Sequence, residues 1–168
     1  MNPVIDIAVE AEEWTQLEDH PRLVEAAILA AVGESGISLG PNAEVSVLLC
    51  DDAYIQKLNQ KWRGIDKPTN VLSFPAPHDV GSSGLLGDIV IAFETAAKEA
   101  AAAQIPLHEH VAHLLVHGFL HLAGHDHIKT LEAEAMEMIE RAALGRLGIS
   151  DPYSASLVEE AACANERA

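Results

Sequence analysis

LGDIVIAFETAAKEAAAAQIPLHEHVAHLLVHGFLHLA, Leu86 to Ala123, is the stretch whose reading decides the fold. From Leu86 to Phe93 it is apolar except for Asp88, and it is rich in Ile and Val. A short run of that kind predicts a buried strand. At Glu94 the composition turns alanine-rich, which predicts a helix as far as Gln104. Pro106 suits the opening turn of a second helix, and that helix runs through a series of histidines to Ala123.

The rest of the chain is read outward from there. Val4 to Val9 alternates as a short strand. Pro21 opens a helix with Leu23, Ala27, Ile28 and Ala31 on its apolar stripe, ended by Gly33 and Gly36. Glu44 to Cys50 reads as a buried strand. Asp51 or Asp52 can cap the next helix, with Ile55, Leu58 and Trp62 facing inward and Gly64 closing it. Val71 to Phe74 is a short strand cut by Pro75, and Ala76 to Gly84 is the main flexible loop. Thr130 caps a last helix from about Leu131 to Leu147. Four strands followed by three consecutive helices predict an α+β (α/β layered) fold. The expectation is a mixed sheet of about four strands packed with about five helices. One domain over 1–150 and a C-terminal tail over 151–168 complete the plan.

Composition narrows the function. The chain has 168 residues, 49% of them apolar, enough for a real core and far from a disordered composition. No apolar stretch approaches the length of a membrane span, and Met1 to Asp6 does not resemble a signal peptide. The two cysteines, Cys50 and Cys163, fit a reducing cytoplasm. The net charge of −16 argues at first against nucleic acid. Yet Lys57, Lys61, Arg63 and Lys67 cluster within one short segment, and charges beyond about one Debye length (~8 Å) are largely screened. Such a patch can hold phosphates, or it can be an ordinary solvated helix face.

The histidines carry the chemistry. His117 and His121 are four apart, so on a helix their rings share one face. Gly124 can end the helix and return His127 to the same point. Three imidazoles with a fourth position open make a catalytic zinc site. His110 and His113 compete for the same face. Ligands from three successive turns of a straight helix would spread over ~11 Å and could not close on one ion. His125 is expected to be exposed, and Asp126 could orient a ligand ring. The spacing matches the metzincin peptidase pattern H-E-x-x-H-x-x-G-x-x-H except that Gly118 replaces the glutamate. With that general base missing, the pattern argues against a peptidase.

Two more segments complete a resemblance: Leu58 to Pro75, with Arg63-Gly64 and Thr69-Asn70-Val71-Leu72-Ser73-Phe74-Pro75, and Leu86 to Ile91. With the full signature H-G-x-L-H-L-x-G-x-D-H from His117 to His127, the chain resembles the YbeY family of bacterial rRNA-maturation endoribonucleases over about residues 1–150. Asn70 stands where the family pattern has aspartate. The resemblance implies a single Zn2+ held by His117, His121 and His127, and cleavage of single-stranded rRNA. It further implies work on the 3′ end of 16S rRNA and in ribosome quality control, with the small ribosomal subunit and assembly proteins as partners. His117 and Arg63 are the implied catalytic side chains. Arg63 is implied to bind substrate, and Lys61 and Lys67 could steer or position the RNA backbone. A guanidinium stays charged and can grip two phosphate oxygens at once. The competing reading of Arg63 is a salt bridge to Asp66 or Asp88. Thr69, Ser73 and Asp88, polar in apolar strands, are expected to satisfy backbone groups. Rival functions are a metal-dependent hydrolase of another substrate, or an assembly factor whose zinc is mainly structural.

Overall fold

The computed structural model describes residues 2–77, 84–125 and 130–153. Four strands form one sheet in the order β1-β2-β4-β3, with β1 Val4–Val9, β2 Glu44–Cys50, β3 Val71–Pro75 and β4 Leu85–Ala92. β1, β2 and β4 run parallel, and β3 is added antiparallel at the β4 edge. The helices are α1 His20–Ser35, α2 Asp52–Arg63, α3 Phe93–Ala103, α4 Leu107–Leu122 and α5 Thr130–Arg146. Among the described residues, a mixed four-stranded sheet with five α-helices makes an α+β fold, as the sequence predicts. The loop expected over Ala76 to Gly84 falls largely outside the described residues.

Alternation along the strands separates two cores. Val45, Val47, Leu49, Ile89 and Ile91 point to the layer built by α1, α4 and α5. Cys50, Leu72, Val90 and Ala92 point the other way, to a smaller cluster closed by Ile55 of α2. α4 is buried almost all round from His110 to Leu122. A helix in that position must be apolar on most of its surface, so its histidines need partners inside the protein.

Two details depart from the sequence reading. Gly33 does not end α1, which runs to Ser35 and stops at Gly36 with φ 69°. A Cβ at Gly33 would collide with the Arg146 guanidinium, so this glycine admits a side chain from α5. The short 3-10 helix Glu12–Gln16 was not expected, being too short to show periodicity. It seats Trp14, whose Nε1 donates to the Cys50 carbonyl at 2.9 Å.

Cys50 is a buried free thiol. Burial, then the carboxylates of Asp51, Glu94, Asp52 and Glu10, push its pKa up to about 12. The thiol therefore stays protonated, and hence inert, near pH 8. Iodoacetamide should leave Cys50 unmodified in the native chain and label it after denaturation, as peptide mapping would reveal. Native labelling at the rate of a free thiol would contradict this burial.

Among the described residues, no helix is long and apolar enough to cross a membrane.

Candidate metal centre

The last two turns of α4 bring His117 and His121 together. Their Nε2 atoms lie 2.9 Å apart. The other ring nitrogen of His117, Nδ1, lies 2.9 Å from Oε1 of Glu140 on α5. A carboxylate there accepts a hydrogen bond from Nδ1–H, which leaves the Nε2 lone pair turned toward His121. Two nitrogens converging in this way suit a shared cation. Neutral imidazole nitrogens are donors of the kind that divalent zinc takes. Third of the expected ligands, His127, lies outside the described residues, as does Asp126. His125 is half-buried rather than exposed, because its N–H closes the α4 terminus onto the Leu120 carbonyl at 2.9 Å.

His113 and His110 are engaged elsewhere. His113 Nε2 meets the second oxygen of Glu140 at 2.5 Å, and the Tyr153 hydroxyl donates to that same oxygen at 2.6 Å. One turn earlier, His110 Nε2 lies 2.9 Å from Oε1 of Glu99. Asn70 donates to that Glu99 oxygen at 2.9 Å. The amide at position 70 thus has a defined task that an ionised carboxylate could not perform. Glu140 is almost completely buried. Burial raises its pKa, but the charge of His113 and hydrogen bonds from His113 and His117 outweigh it and hold the carboxyl well below the usual range.

Gly118 lies against the sheet. An added Cβ would approach Ile89 Cγ2 to 2.9 Å and Ser73 Oγ to 3.2 Å. The glutamate of the metzincin pattern is therefore excluded by packing as well as absent from the sequence. Gly118→Glu should destabilise the fold by more than about 2 kcal/mol, through overpacking and an unpaired buried carboxylate. Urea denaturation measures this. A variant as stable as the parent would refute it.

Arg63 sits at the end of α2, which stops at Gly64 with φ 72°. Its Nη2 donates to the Ser73 carbonyl at 3.3 Å. Ser73 Oγ in turn donates to the Gly118 carbonyl at 3.0 Å. Ser73 of edge strand β3 therefore touches both Arg63 and the residue after His117. Among the described residues no ion pair joins Arg63 to Asp66 or Asp88, and Asp66 accepts from Gln56 instead. Asp88 lines a groove of about 900 Å3 on the α2 side of the sheet, with Asp6, Ser46, Trp62 and Phe74. Partial burial raises its carboxyl pKa. Lys61 and Lys67 are exposed. The Lys67 carbonyl is held by Nδ2 of the buried Asn59 at 2.9 Å, which fixes the loop after α2.

Trp62 corrects the expected inward face of α2, being 62% exposed. The last turn of the helix carries it past the small core, to pack edge-on against Phe74 with Lys61 Nζ 5.0 Å from its ring centre.

Glu140 is the main residue that sequence reasoning missed. The signal was present. Met136, Glu140, Ala143 and Leu144 form the buried stripe of α5, and an acid inside an apolar stripe needs a buried partner.

A family model described as Endoribonuclease YbeY matches residues 6–148. A protein of that name from Methylocella silvestris is 55% identical, over 94% of this chain and 89% of the relative. Another from Beijerinckia indica is 56% identical, over 91% of this chain and 78% of the relative. The solution structure of TM1509 from Thermotoga maritima aligns with a TM-score of 0.55 at 26% identity, over 86% of this chain and 91% of that one. Sequence signature, fold and relatives agree, and the chain belongs to the endoribonuclease YbeY family.

Proposed function

We propose that this endoribonuclease is zinc-dependent and cuts single-stranded rRNA. Its work in this reading is maturation of the 16S rRNA 3′ end and ribosome quality control, in the cytoplasm with the small subunit and assembly proteins. The observation that carries the proposal is the contact of Ser73 with both Arg63 and Gly118. It ties a cationic phosphate grip to the helix that bears the paired imidazoles.

His117, His121 and His127 would hold the metal, and when bound zinc supplies Lewis-acid polarisation of a phosphoryl oxygen. Arg63 binds the scissile phosphate and opposes the charge that grows there during displacement. Lys61 and Lys67 contact neighbouring phosphates, which positions the strand without reading sequence. Trp62 offers a flat exposed face for an unstacked base, a mode open to single strands and closed to duplexes.

A 3′-extended 16S rRNA fragment, alone and annealed to its complement, tests this reading. The single strand should be cut, the duplex spared, and a chelator should stop the reaction until zinc is restored. Equal cutting of both substrates, or cutting indifferent to chelator, would end it. Trp62→Ala should weaken binding of a short single strand by about 1–3 kcal/mol, the usual worth of one stacked base. Fluorescence anisotropy measures this, and unchanged affinity would remove Trp62 from the substrate path.

A further inference from the structure

The Glu140 carboxylate is 1% exposed and sits among three donors contributed by two parts of the chain. One oxygen faces His117 Nδ1, and the other faces His113 Nε2 and the Tyr153 hydroxyl. Tyr153 is itself fixed. Its backbone N–H donates to Asp151 at 2.8 Å, and Asp151 also accepts from Arg141 Nε at 3.2 Å. The Arg141 guanidinium lies 5.3 Å from the centre of the Tyr153 ring. Any set of donors would satisfy a buried acid. Here one donor is the ring whose far nitrogen meets His121 Nε2, so the angle of that ring cannot change without breaking the Glu140 contact.

We propose that Glu140 is a positioning residue for the metal centre. It keeps the His117 proton on Nδ1 and the Nε2 lone pair aimed at the point shared with His121, while His113 and Tyr153 stop the carboxylate from rotating. The inference rests on reading His117 and His121 as metal ligands. It makes α5 and the turn at Asp151 to Tyr153 part of the apparatus that sets metal affinity, although neither supplies a ligand in this reading.

Glu140→Gln is nearly isosteric, but its amide carries only one acceptor oxygen. If its NH2 faces His117, the ring must move its proton to Nε2, the nitrogen the metal needs. Tyr153→Phe removes one hydroxyl and leaves the carboxylate. Both variants are made in the full chain, with circular dichroism as the check on folding. Long-range 1H–15N spectra of the metal-free proteins report the His117 tautomer, and competition with a chromophoric chelator reports Zn2+ affinity. The parent should show His117 protonated on Nδ1. Glu140→Gln should lose that preference and bind Zn2+ about 10–100-fold more weakly. Tyr153→Phe should show a smaller loss, below about tenfold, with the tautomer kept.

Parent-like affinity and tautomer in Glu140→Gln would overturn the proposal. So would weaker affinity with an unchanged tautomer, which is what a purely structural role predicts. Should Glu140→Gln fail to fold, Tyr153→Phe decides, and parent affinity in that variant counts against the proposal. If the parent bound no Zn2+ while Glu140→Gln still altered the tautomer, the metal reading would fall, distinct from the grip on the ring.

Discussion

A chain carrying His121→Ala is expected to bind no zinc with useful affinity and to cut RNA at least about a thousandfold more slowly, the cost of losing several kcal/mol of metal assistance. His121 is the cleaner of the proposed ligands to remove. It is half-buried, and its ring meets His117 at the surface end of α4. His117→Ala should be equally inactive but also less stable, because it strips Glu140 of one of its partners. Leaving a buried acceptor short of one donor costs about 1–3 kcal/mol. The two variants therefore separate site from scaffold. Both should lose metal, measured by mass spectrometry under native conditions, whereas only His117→Ala should show a marked fall in thermal midpoint. Full cleavage by a metal-free His121→Ala chain would remove the basis of the mechanism.

Arg63→Ala is expected to lower single-turnover cleavage by about 10²–10³-fold, the usual cost of deleting one preorganised donor aimed at growing charge. Arg63 is exposed and its contact is with a main-chain carbonyl, so the fold should survive. Arg63→Lys should recover only part of the rate, since an ammonium is a point charge that cannot form the two-pronged contact. Lys61→Ala and Lys67→Ala make useful comparisons. If they only position the backbone, each should weaken binding and flatten its salt dependence with kcat nearly unchanged. Parent-level kcat in Arg63→Ala would leave the guanidinium as a structural tether alone.

The sequence disclosed most of the architecture because the relevant signals are local. Val4 to Val9 alternates over most of its length and is β1 at the same bounds. The passage from strand to alanine-rich helix at Phe93–Glu94 marks the β4–α3 junction to within a residue. Spacing alone predicts that His117 and His121 share a face of α4, and their rings meet there. What stayed hidden depends on contacts between distant segments. The meeting of Glu140 with His113 and His117 requires the packing of α5 on α4, which periodicity does not specify. Trp62 misled because an aromatic at helical spacing reads as core, whereas α2 overhangs the sheet at its last turn. In sequence, Gly118 marks only the absence of a general base. Its closeness to Ile89 and Ser73, which requires glycine, emerges only once α4 lies across β3 and β4.

One of the two border strands has a consequence of its own. β3 borders the sheet, and a bare border of that kind invites a neighbouring molecule to zip alongside and begin a fibre. Pro75 offers no N–H at one end of it, and the Arg63 guanidinium covers the Ser73 carbonyl along it. The same cation that would grasp a polyanion therefore guards the protein against pairing with itself, and selection for solubility and for turnover would act on one side chain.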